Sequence, residues 1–181
     1  TAGLSGGGAR LEPTELVESP VARMALVLSK TNETNNRMSL GIYPYSDADI
    51  PAIEEFNGRL GAIGSEYSFP RRPSDLMPQG PGVGPIRHDL FLAKEDAIMR
   101  GGYALKREAM LIQGEAEAVC NLQIPLSEAL IDRAYSNVGA AMVFDATRRS
   151  KLIYCLGMGS AQRPLPQLLA KLRWRIEHVP F

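Results

Sequence analysis

The chain has no surplus of charge: 20 Lys and Arg face 20 Asp and Glu, so the formal net charge is zero. A chain without a positive field has no global attraction for nucleic acid or an anionic membrane, and neither is expected as a partner. Cysteine is scarce. The two present, Cys120 and Cys155, both stand in apolar runs, which excludes a disulfide scaffold and suits a reducing compartment. The apolar stretches fall far short of the roughly 20 residues a membrane-crossing helix needs. The amino end, Thr1-Ala2-Gly3-Leu4, shows no charged region followed by an apolar one, so a signal peptide is not expected and the cytoplasm is. No group of His, Cys and carboxylates has metal-ligand spacing, and no metal is expected. A Gly-x-Ser-x-Gly elbow is also missing, which argues against a hydrolase.

What is there reads as one globular domain. The length of 181 residues suffices for a real core, and hydrophobic (45%) and charged (22%) fractions exclude disordered and fibrous classes. Residues 1–37 read as a tail or a short extra element, and 38–181 as the domain. Ser39 to Tyr43 is strand-like, and Ser46, Asp47 and Asp49 then offer N-capping side chains. Ile50, Ile53, Phe56 and Leu60 recur at near-helical spacing. From Gly64 to Pro85 the prolines at 70, 73, 78, 81 and 85 predict irregular chain, placed where a substrate-covering segment could sit. Three strands follow in an expected antiparallel meander: His88 to Lys94, Gly101 to Ile112, and Ala118 to Ile124. A helix is expected over Val138 to Arg149 and a buried central strand over Leu152 to Leu156. Another helix is expected around Gln167 to Leu172, with a final strand over Arg175 to Val179.

Three stretches carry a family resemblance. These are Leu40 to Ile53, Tyr135 to Met142, and Leu168 to Ile176. With the element order they resemble the GNAT acyltransferase superfamily over about Ser39 to Phe181. The resemblance implies an α+β fold in three α/β/α layers, around a mixed, mostly antiparallel twisted sheet splayed at an acyl-coenzyme A site. It implies acyl transfer, with acetyl-coenzyme A or another acyl-coenzyme A as substrate and an amine-bearing small molecule or peptide as acceptor. The helix start behind Tyr135 suits a pyrophosphate, because its backbone N–H groups are unpaired and its dipole is positive there. The implied contacts are Arg133, Ser136, Asn137, Val138, Gly139, Ala140 and Ala141, with Leu122 and Ile124 lining the pantetheine.

The loop departs from the family pattern at Ala134 and Asn137, where a phosphate-contacting side chain and a glycine usually stand. Arg133 is available to supply the missing charge; Ser136 to Gly139 as a plain helix cap is the alternative. For proton chemistry the candidates are Glu115 and Glu117, at the start of a strand leading into the site, and Tyr154 on the neighbouring strand. His88 and His178 fall in strand patterns and are expected to be structural. A catalytically inactive binding module is the competing reading. No further strand follows Arg175 to Val179, so a homodimer or a longer parent chain is expected to cover that edge.

Overall fold

The computed structural model describes residues 39–76 and 86–177. The expectations for residues 1–37, for His178 and for the segment 77–85 lie outside the described residues.

Strand β1 (Leu40–Pro44) leads through Ser46 into helix α1 (Ile50–Ala62). The backbone N–H of Ser46 donates to the Asp49 carboxylate at 2.8 Å, and the Asp49 N–H donates to the Ser46 carbonyl at 2.9 Å. These bonds close the turn before the helix, and the proline at its second position loses no helical bond. Burial opposes ionisation of Asp49, but the Lys94 ammonium and the Ser46 donors outweigh it and hold the carboxyl below its ordinary value. The Lys94 contact ties the start of α1 to the sheet. Ile53, Phe56 and Leu60 are fully buried on one helix face.

The long meander follows as expected: β2 (Arg87–Glu95), β3 (Ile98–Ile112) and β4 (Glu115–Ser127), each antiparallel to the last. Helix α2 (Ser136–Arg149) then crosses over to β5 (Ile153–Tyr154), which runs parallel to β4, and helix α3 (Pro164–Lys171) follows. The crossover explains the one parallel pair among the described residues, since parallel neighbours need a crossover connection and not a hairpin. The sheet order is β1-β2-β3-β4-β5. Helix α1 covers one face, with Leu90, Leu92, Ala104 and Leu126 beneath it. Helices α2 and α3 cover the other, over Phe91, Tyr103, Leu105, Cys120 and Leu122. This is the three-layer α/β/α arrangement with a mixed, mostly antiparallel sheet.

Close approach depends on two adjacent glycines in β3. A Cβ on Gly101 would lie 2.8 Å from the Leu126 carbonyl and 3.0 Å from Val138, and one on Gly102 would lie 2.8 Å from the Phe69 ring. Helix α2 and the segment after α1 reach the sheet from opposite sides at this one place.

Several sequence expectations are corrected. Strand β4 does not stop at Ile124 but continues through Pro125 to Ser127. Proline is tolerated because its nitrogen falls where the ladder is irregular. Leu152 to Leu156 is not a buried central strand: only Ile153 and Tyr154 pair, both half-buried, at one side of the described sheet. Arg175 to Glu177 has no regular structure, so the described part of the expected closing strand is absent. Helix α2 begins two residues early, at Ser136, and α3 three residues early, at Pro164, because a proline fits a helix's first turn. Between Gly64 and Leu76 the chain is irregular apart from one 3₁₀ turn, Pro73–Leu76.

Candidate functional site

Two features meet beside β4. The first is a gap. Strands β4 and β5 share only two registered pairs, Cys120 with Ile153 and Asn121 with Tyr154, and the Cys120 N–H donates to the Leu152 carbonyl at 3.0 Å. Beyond Asn121 the strand runs on to Ser127 with no β5 partner among the described residues. Backbone polar groups on that side are left for a ligand or water. Leu122 turns its side chain into the α2 layer, while Ile124 packs towards α1. Ile124 has φ +47, and the β3–β4 register shifts by one residue there, from Ala104 with Gln123 to Gly102 with Leu126. A β-branched residue in the left-handed region is strained, so the bulge is held in place by its surroundings.

The chain leaving β4 reaches the start of α2 through two short 3₁₀ turns. The Asp132 carboxylate accepts from the Ala134 N–H at 2.9 Å, and the Ser136 N–H bonds the Arg133 carbonyl. No side chain caps α2 itself. With the Ser136 N–H already paired, the next N–H groups, those of exposed Asn137 and of Val138, have no partner within the helix and are open to an anion, with exposed Arg133 just before them. The side chain of Val138 is in the core. A Cβ on Gly139 would meet Leu168 of α3 at 3.7 Å, and Ala140 and Ala141 are half-buried. Of the nine residues taken for the acyl-coenzyme A contacts, the structure thus groups Arg133 and Ser136 to Ala141 at one helix end. Leu122 and Ile124 lie along the adjoining gap.

This loop is clamped from below. Buried Glu128 accepts from Arg59 of α1 at 2.8 Å and from Arg100 of β3 at 3.0 Å. The Arg100 guanidinium stacks 4.4 Å from the centre of the Tyr135 ring, immediately before α2. Nothing in local sequence pattern marks Glu128 as a hub; its partners lie 69 and 28 residues away.

The second feature is a polar row on the α1 face of the sheet. Register places His88 of β2 beside Lys106 of β3, Lys106 beside Asn121 of β4, and Asn121 beside Tyr154 of β5. The Tyr154 hydroxyl donates to the Glu108 carboxylate, and the Lys106 ammonium lies 2.8 Å from the same group. Lys106 and Tyr154 hold the Glu108 carboxyl below its ordinary value. Burial, with the Glu108 charge beside it, pushes the Tyr154 hydroxyl up to about 12. Burial and the Lys106 charge lower the His88 imidazole, against a bond to Gln123 that favours protonation. Two atoms in this row are buried without a hydrogen-bond partner, His88 Nδ1 and Asn121 Oδ1. Leaving one such atom unpaired costs about 1–3 kcal/mol, and native structures rarely do so.

Tyr154 thus stands where β4 and β5 part. Glu115 and Glu117, the other two side chains considered for proton transfer, are exposed on the part of the β3–β4 hairpin that projects beyond β2 and β5. Neither forms an ion pair or side-chain hydrogen bond among the described residues. Sequence reading missed Lys106, Glu108, Asn121 and His88 as a group. The only available signal was polar residues at alternating positions within otherwise apolar strands. Among the described residues no cluster of three potential metal ligands occurs, and no helix is long and apolar enough to cross a membrane.

No protein-family model and no curated protein sequence matches the chain. Solved structures do. A transcriptional regulator from Bacillus halodurans C-125 is similar with TM-score 0.53 at 16% identity, over 79% of this chain and 97% of that one. Glucosamine-6-phosphate N-acetyltransferase from Arabidopsis thaliana is similar with TM-score 0.52 at 10% identity, over 79% and 96%. A predicted acetyltransferase with acetyl-CoA from Clostridium acetobutylicum is similar with TM-score 0.50 at 10% identity, over 77% and 92%. Identities this low speak to the fold and not to the reaction.

Proposed function

From the premise that this chain has the GNAT acetyltransferase fold, we propose that it is an acyl-coenzyme A-dependent N-acyltransferase, transferring an acetyl group to an amine. The observation that carries the reading is the conjunction of an uncapped helix start with an unpaired strand edge. A pyrophosphate requires the first, and the amides of a pantetheine arm suit the second. In this reading Arg133, the Ser136 side chain and the N–H groups of Asn137 and Val138 hold the diphosphate, with Gly139 giving it room. Ala140 and Ala141 keep the helix surface slim, and the backbone of Leu122 to Ile124 pairs with the pantetheine.

The amine nitrogen attacks the thioester carbonyl carbon, the carbon–sulfur bond breaks, and the sulfur leaves needing a proton. Tyr154 supplies it: its raised pKa keeps the hydroxyl protonated at neutral pH, and its O–H swings from Glu108 to the sulfur. The protons that the amine loses as the amide forms pass to water, since Glu115 and Glu117 stand too far out on the hairpin to take them. Positioning the two substrates supplies the larger share of the acceleration. The reading extends to a cytoplasmic homodimer.

Thermal unfolding with and without acetyl-coenzyme A tests the premise. Ligand at about a hundred times its dissociation constant stabilises by roughly 2.7 kcal/mol, an upward shift of a few degrees. Gly139→Glu, which puts a carboxylate beside the helix start, is expected to abolish that shift. Release of free thiol with a panel of amines then separates the enzyme from a binding module. The module reading is favoured by Ala134, which leaves exposed Arg133 as the one basic residue that the loop's own sequence brings to the α2 start.

A further inference from the structure

Side chains alternate along a strand, so Glu115, Glu117, Val119, Asn121 and Gln123 of β4 share one face. Their β3 partners in the unbroken register are Ile112, Met110, Glu108, Lys106 and Ala104. The face therefore runs without interruption from the tip of the hairpin to the polar row beside the β4–β5 gap. It carries three carboxylates, Glu108, Glu115 and Glu117, against one ammonium, Lys106. Two of the carboxylates have no partner among the described residues, while Glu108 is shared by Lys106 and Tyr154.

Where this acidic strip meets the gap, Asn121 is 6% exposed with its Oδ1 orphaned; His88, two strands away in the same polar row, is 7% exposed with its Nδ1 orphaned. Asn121 Oδ1 can only accept, so it asks for a donor, and an ammonium group supplies three. Met110 and Ile112, partly exposed on the same face, give methylene groups an apolar surface between the charges. At about 3.4 Å per residue the strip offers a carboxylate or amide oxygen every 7 Å or so, over roughly 20 Å from Asn121 to Glu115.

Resting on the acyltransferase reading, we infer that the acceptor is a linear aliphatic polyamine. It lies along the β3–β4 hairpin with its reacting nitrogen at Asn121 and its distal ammonium groups at Glu117 and Glu115. Glu115 and Glu117 are positioning residues: they hold charge remote from the reacting carbonyl, so they act on acceptor capture and not on the chemical step.

The test compares spermine with butylamine and glucosamine as acceptors of acetyl-coenzyme A. Spermine is expected to have the highest kcat/KM, and its advantage over butylamine to shrink as salt is raised. E115Q/E117Q removes two exposed charges that make no ion pair or side-chain hydrogen bond among the described residues, so it folds as the parent does. It is expected to lower kcat/KM for spermine about tenfold, through KM, and to narrow the preference over butylamine. Equal use of spermine and butylamine, or an unchanged spermine KM in the double variant, overturns the inference. Calorimetry keeps the two readings apart. Acetyl-coenzyme A binding without spermine binding overturns the polyamine assignment alone. Spermine binding without acetyl-coenzyme A binding overturns the acyltransferase reading instead.

Discussion

Tyr154 illustrates how a residue acquires a role from its neighbours. Its β5 segment is two residues long and half-buried, yet the hydroxyl meets Glu108, 46 residues away. If it protonates the departing sulfur, Tyr154→Phe lowers kcat by about a hundredfold while acetyl-coenzyme A affinity is kept. Steady-state kinetics beside calorimetry check this, and equal kcat values would remove the role. His88 yields a prediction of a different kind. Its folded pKa lies below the ordinary value near 6.5, so the unfolded chain binds the proton more readily. The stability from keeping His88 neutral is present above about pH 6.5 and is lost as pH falls through the folded value. Asp49, Asp89 and Glu108 are also depressed, but they act only below their ordinary carboxylate range. Between about pH 7 and pH 5, His88→Gln is therefore expected to flatten the fall in melting temperature. A melting series giving parallel curves for the two proteins would refute that linkage. Both cysteines are free: Cys120 is buried, and burial pushes the Cys155 thiol up to about 11.

At the scale of elements, the hairpin of β3 and β4 does most of the organising. Its inner half is core on both faces, and its outer half projects and is exposed. Apolar alternation made the strands legible, because one residue in two must face each helical layer. The extension of β4 past Ile124 was not legible, since Ile124-Pro125 reads as a stop and only the bulge lets the strand continue. The length of β5 was overestimated for the converse reason. Leu152 to Leu156 is apolar because Ile153 and Cys155 pack against the α2 and α3 layer, and not because five residues pair. Gly101 is the tightest point of this layer. Gly101→Ala forces a methyl group onto the Leu126 carbonyl at 2.8 Å, which the backbone can relieve only by moving β4. Chemical denaturation should show a loss of about 1–3 kcal/mol, and a neutral result would mean that β4 is not packed this closely.

At the scale of the whole molecule, Glu128 joins parts that sequence cannot connect. It lies in a polar loop, yet it is 4% exposed and is held by Arg59 from one layer and Arg100 from the sheet. Removing one member of a buried charge cluster leaves the others uncompensated. Glu128→Ala is expected to cost about 3 kcal/mol. Because Arg100 also stacks on Tyr135, it should weaken acetyl-coenzyme A binding as well. A lower melting temperature with an undiminished ligand-induced shift would separate the clamp from the site. Sequence alone determined the order of elements and which strand and helix faces are apolar. Those follow from periodicity and capping, which act over a few residues. Tertiary structure decided where β4 and β5 part, which polar side chains form one row, and which carboxylate ties the layers together. These depend on register between strands distant in sequence, and no local pattern encodes that register.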